Sequence, residues 1–375
     1  MAAPVLIGAA ILYSGDRLDS TWLIHSDLPM RVLSLIFSAF LLTAATPPVP
    51  DILKPYIHGD RFDPGDYRWM KGRFPDATPE ERAQDKQVRD WVMASYRAAL
   101  DDTRAELRTM GIDDPQLKGA PVGGVLDFQV SVGPDTSLWP SFAAFQQSLA
   151  MAVPMADTYL MAVESAKKIR ASRTAKLHDL LMARPMGEQM LRYGGDWGAD
   201  GLAKAPIVPE TVRAIILSRI MAAGMLEDRA NTEWLKRIVK TQGWPKRSEV
   251  GDDAAAEAWL LVQHADADPA FQLTVLRAME PLVPSGEVSK TDYAYLYDRV
   301  MLKITGKQRY GTQAMCINGT RVPQSPENDK AVDRLRKQVG LKPVADYLAD
   351  MDKIYSPCPR SQRLGRIDIR DSQTS

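Results

Sequence analysis

Side chains that can do chemistry crowd into the stretch between Gln263 and Gln313. The run Gln263-His264-Ala265-Asp266 ends an apolar segment. Gln272 follows, then Asp298-Arg299, then Gln308-Arg309-Tyr310-Gly311-Thr312-Gln313. The surrounding sequence is apolar enough to form a core, and a buried polar group without a partner costs roughly 1–3 kcal/mol. These groups therefore bond one another or bond a ligand. His264 could act as a general base oriented by Asp266, with Tyr310 or Gln313 steadying developing charge. Alternatively, His264 is a helix-end histidine satisfied by carbonyls and favoured by the helix dipole. Gln313 could donate and accept at once, as amides that read peptides or sugars do. Together, Gln263, Gln272, Asp298, Arg299, Gln308, Tyr310, Thr312 and Gln313 form a candidate ligand-binding set.

Plainer readings stand beside these. Asp268 before Pro269 is a natural helix N-cap. Asp298-Arg299 within a helix reads as an ion pair or an arginine brace. The 308–313 residues could stitch a hairpin to the His264 helix. A metal centre would combine His264, Asp266 and a third acid such as Asp298. Only two of these are close in sequence, so neither a metal nor a cofactor is expected. The sequence contains no serine elbow, phosphate-binding loop, HExxH or dinucleotide glycine pattern.

Helices must position this set. Thr78-Pro79-Glu80-Glu81 is a strong helix start, with an N-cap, a proline at the first position and acids in the first turn. Apolar spacing carries that helix to about Met110. Residues 111–136 read as loop with a short β-like run, Val125 to Val132. Ser137–Ile169 and Thr174–Ala183 read as helices, and the methionines at 151, 155, 161, 221 and 225 as core filler. Gly194 to Pro209 reads as a linker. Beyond it come helices at about 210–224, 227–241, 252–264, 269–282, 289–305, 327–339 and 342–354. Gln308 to Cys316 reads as the first strand of a hairpin turning at Asn318-Gly319. The expected fold is mainly α and multi-helical, with a small β-hairpin near 308–324. The expected organisation is an arm at 46–77 anchored by Tyr67, Trp69 and Phe74, helical domains at 78–205 and 206–358, and a frayed tail at 359–375.

The N-terminus points to export. Met30-Arg31 is a short basic start, Val32 to Leu42 an uncharged apolar run, and Thr43-Ala44-Ala45 a small-residue cleavage site. This is the pattern of a secretory signal cleaved after Ala45. Residues 1–29 then form an upstream extension, with the real start at Met30; an uncleaved N-terminal anchor is the alternative. A periplasmic or secreted protein follows, with no stable membrane span in the mature chain. The two cysteines, Cys316 and Cys358, are a candidate disulfide in such a compartment. Lys+Arg equals Asp+Glu at 47 each in 375 residues, so the basic excess of a nucleic-acid binder is absent.

Several segments carry a resemblance. They are Gly243-Trp244-Pro245, Val250-Gly251-Asp252-Asp253, Trp259 to Asp266, Ala294 to Val300, Gln308 to Gln313, and Val339 to Leu348. Over about residues 205–355 the chain resembles DUF6624, an uncharacterised bacterial family. The resemblance implies no activity. The sequence therefore supports an exported cell-envelope binding or interaction module with an unknown ligand or protein partner, or a hydrolase-like enzyme built on His264 and Asp266.

Overall fold

The structure is a computed structural model. It describes residues 47–59, 61–117, 119–171, 175–197, 205–355 and 357–358. The signal segment around Met30 to Ala45 and the tail from 359 lie outside the described residues. The chain divides into two compact units, Met1–Val275 and Leu276–Ser375.

The first unit begins with a short antiparallel pair, β1 (Ile57–His58) and β2 (Arg61–Phe62), which the sequence reading did not anticipate. Tyr67, Trp69 and Phe74 are buried: Tyr67 stacks on Trp69 and meets Phe145 edge-on, and Phe74 packs against Phe142 and Phe145. Gly72 lets the arm lie against the first long helix, since a Cβ there would sit 2.0 Å from the Glu81 carbonyl oxygen. That helix, α1 (Pro79–Thr109), starts at a complete capping box. Thr78 Oγ1 accepts from the Glu81 amide, and the Glu81 carboxylate accepts from the Thr78 amide.

The β-like run at 125–132 is instead a short helix, α2 (Val125–Ser131). Its Gln129 side chain bonds both backbone groups of Phe62, so tertiary pairing overrides the β-branched composition. Next come α3 (Phe142–Arg170), α4 (Leu177–Ala183) and α5 (Met186–Gly194). Met151 and Met161 on α3 are exposed rather than core filler. The helices expected at 210–224 and 227–241 are one continuous helix, α6 (Glu210–Gln242); Gly224 and Met225 do not interrupt it. α6 packs on α3 and α5, and its Val212, Ile215, Ile216 and Ile220 join the aromatic core of the arm. Then follow α7 (Arg247–Val250), α8 (Asp252–Gln263), which packs on α4 and α6, and α9 (Pro269–Met279). Asp268 caps α9, its Oδ1 accepting from the Phe271 amide at 2.9 Å.

The second unit holds α10 (Lys290–Thr305), the hairpin β3 (Ala314–Ile317) and β4 (Thr320–Pro323), and the helices α11 (Val332–Gln338) and α12 (Val344–Ile354). Asn318 and Gly319 both take positive φ, 49° and 84°, at the expected turn. Cys316 and Cys358 are joined in a disulfide with a Cα–Cα distance of 5.4 Å. No helix among the described residues is long and apolar enough to cross a membrane.

Candidate functional site

The polar set legible in the sequence falls into two groups. Gln263, His264, Asp266 and Gln272 belong to the first unit; Asp298, Arg299, Gln308, Tyr310, Thr312 and Gln313 belong to the second.

In the first unit, α8 ends at Gln263, and His264 is its C-cap, a position that favours positive charge. The His264 Nδ1 lies 2.7 Å from Glu188 Oε1 on α5, with the two side chains 8% and 0% exposed. The carboxylate on His264 Nδ1 is therefore Glu188. Asp266 Oδ1 instead accepts from Gln272 Nε2 at 3.3 Å, and the same amide reaches the Val262 carbonyl at 3.0 Å. Gln272 so closes the C-terminal end of α8. Gln263 is buried, and its Nε2 has no hydrogen-bond partner.

Around Glu188 lie groups that the sequence reading missed. Asn231 Nδ2 donates to Glu188 Oε2 at 2.7 Å, and Arg184 Nε donates to Asn231 Oδ1 at 2.7 Å. Arg192, one turn along α5 from Glu188, holds both oxygens of Asp228 at 3.0 Å each. Asp228 and Asn231 are three apart on α6, so one face of that helix meets the Glu188 face of α5. Burial opposes ionisation of Glu188, but His264, Arg192 and Asn231 together outweigh it and hold the carboxyl below its usual value. An ionised carboxylate only accepts, so the proton of the short contact sits on His264 Nδ1. In the neutral ring Nε2 then carries the lone pair. Burial pushes the Asp228 carboxyl up, with the Glu188 charge adding to the rise and Arg192 opposing it. Burial also raises Glu257, and the nearby Glu188 charge adds to that.

The second unit uses its share of the set as scaffold. Asp298 on α10 is fully buried, and its carboxylate accepts from three backbone amides: Arg309 at 2.7 Å, Tyr310 at 2.9 Å and Thr312 at 2.8 Å. Burial raises the Asp298 carboxyl, while these donors pull it down. Residues 308–313 are consequently wrapped around Asp298 and do not form the expected strand. Gly311, at φ 65°, makes the bend. Gln308 Oε1 accepts from the Gln313 amide at 2.9 Å, and its Nε2 donates to the Gln313 carbonyl at 2.7 Å. The Gln313 side chain adds one bond, to Thr312 Oγ1 at 3.2 Å. The Tyr310 ring meets Tyr297 edge-on, and the Tyr310 carbonyl accepts from Arg336 Nη1 at 2.6 Å. Arg299 is half-buried on α10.

Fold and site together define a helical protein whose first unit carries a buried histidine–carboxylate cluster. Residues 214–357 match the model of DUF6624, described as a family of unknown function, as the resemblance in the C-terminal region implied. No curated protein and no solved structure shows significant similarity to the chain. Of the cluster, Asp228, Asn231 and His264 lie inside the matched region, whereas Arg184, Glu188 and Arg192 precede it.

Proposed function

We propose that the protein is exported to the cell envelope and works there as a binding or interaction module. Its site is the cluster around His264 in the first unit. One observation carries this reading: His264 is held at Nδ1 by a fully buried carboxylate, Glu188, at 2.7 Å. That arrangement fixes the ring and leaves Nε2 to bond something else. Export is supported by the Cys316–Cys358 disulfide, a linkage that persists in oxidising compartments. The partner is an envelope ligand or protein. The 308–313 segment supports the second unit.

A second reading, a hydrolase-like enzyme, is favoured by the same geometry. A histidine whose Nδ1 donates to an ionised carboxylate presents Nε2 as a general base. In that reading Glu188 takes the orienting role that the sequence suggested for Asp266.

The test has two parts. The full-length chain is produced in a bacterial host, fractionated, and its N-terminus sequenced. Recovery from the envelope fraction with Thr46 as first residue supports export; uncleaved protein in the cytosol removes it. The mature protein and His264→Gln are then screened by thermal shift and turnover against envelope peptides and glycans. A shift in wild type that the variant lacks supports binding, turnover supports the enzyme, and identical profiles remove both.

A further inference from the structure

Glu188, Asp228 and His264 each offer one donor atom within 4.8 Å of the other two. One imidazole nitrogen and two carboxylates are a ligand set suited to zinc-class ions. Ligands of a tetrahedral zinc at about 2.0–2.1 Å stand roughly 3.4 Å apart, so the three atoms need only side-chain adjustment to close on an ion.

The charge around them is a separate observation. Arg192 lies in the field of Glu188, Asp228 and Asp266, and Glu188 lies in the fields of Glu257 and Arg184. The neighbouring Glu227 is paired with Lys167 at 2.7 Å and stands apart from this set. A divalent cation adds positive charge among these carboxylates. Both cysteines are joined to each other, so no thiolate competes for the ion.

We propose that Glu188, Asp228 and His264 form a binding site for a divalent transition-metal cation of the zinc class. The proposal rests on the reading of this cluster as a ligand site. A cation at His264 Nδ1 takes the place of the proton now donated to Glu188, and the neutral ring keeps its single proton on Nε2. Asp228 has lone pairs enough to stay bonded to Arg192 while it binds the ion. Three protein ligands leave a position open for water or a ligand group, the arrangement of sites that act rather than merely stabilise.

The test uses the oxidised full-length chain stripped with chelator and titrated with Co²⁺, then with Zn²⁺. The expected result is one saturable site with visible cobalt absorption that zinc displaces. Affinity should fall at least tenfold in His264→Gln and in Asp228→Asn, with folding checked by tryptophan fluorescence. Should the variants misfold, a zinc-dependent rise in the wild-type melting temperature that follows the same saturation curve carries the test. Absence of saturable binding overturns the metal assignment, as does binding that both folded variants retain, which marks adventitious ions at other histidines. The peptide and glycan screen of the preceding section is run without metal. A wild-type response there alongside absent cobalt binding would overturn the metal and keep the site.

Discussion

Replacing His264 by alanine should destabilise the first unit by about 3 kcal/mol, and the reason can be worked from the geometry. The substitution leaves Glu188, 0% exposed, without the His264 Nδ1 donor at 2.7 Å. Breaking a buried pair by removing one member typically costs about 3–5 kcal/mol. Here Asn231 still donates to Oε2 at 2.7 Å and Arg192 still contributes its field, which keeps the loss at the lower end. All eight tryptophans lie before residue 276, so intrinsic fluorescence in a urea titration reports the first unit by itself. With a slope of about 2–3 kcal/mol per molar for a unit of this size, the midpoint should drop by roughly 1–1.5 M. Adding Glu188→Gln to His264→Ala should recover part of the loss, because the stranded charge is gone.

The effect should also depend on pH with a definite sign. In the wild type Glu188 titrates below its usual value of 4.5, so its contribution is complete above that pH and is lost as pH falls through the folded value. In His264→Ala burial dominates and raises the carboxyl, so the penalty develops above that pH. The gap between wild type and variant should be widest near neutrality and narrow on acidification. A loss under about 0.5 kcal/mol, or a gap that ignores pH, would refute the pairing of an ionised Glu188 with His264.

Other expectations concern the second unit, which is followed by hydrogen–deuterium exchange over residues 276–358. Asp298→Asn puts an amide donor where three backbone amides donate, and should destabilise this unit by about 2–4 kcal/mol, seen as faster exchange at 309–312. Gln308→Ala should destabilise it by about 2–3 kcal/mol and Gln313→Ala by about 1 kcal/mol, because the Gln308 side chain bonds two backbone groups of Gln313 whereas the Gln313 side chain makes one bond; equal effects would contradict that assignment. Reducing Cys316–Cys358, or Cys358→Ser, should lower stability by about 4 kcal/mol on the chain-entropy estimate for a sequence separation of 42.

What the sequence disclosed follows from how local each signal is. The α1 capping box and the Asn318-Gly319 turn are decided within four residues, and both stand where expected. The Val125–Ser131 helix was hidden because its β-branched residues favour strand locally, while Gln129 is fixed by Phe62, 67 residues away. The segment 308–313 alternates like a strand, yet Asp298 draws its amides inward and Gly311 turns it. His264 was legible as the chemical centre because a lone histidine ends an apolar helix. Its partner was not: Glu188 lies 76 residues upstream, on a short helix next to a stretch that reads as linker. Asp228 and Asn231 look like ordinary solvent-facing positions of a long helix. Only the packing of α5 on α6 brings their shared face against Glu188.

An ionised Glu188 holds the proton on His264 Nδ1. Nitrogen-15 NMR of the imidazole rings at neutral pH tests it most directly, with the His264 signals assigned by their loss in His264→Gln. The expected result is a protonated, hydrogen-bonded Nδ1 at His264 whose shift changes in Glu188→Gln. A bare Nδ1, or a spectrum indifferent to Glu188→Gln, would contradict it.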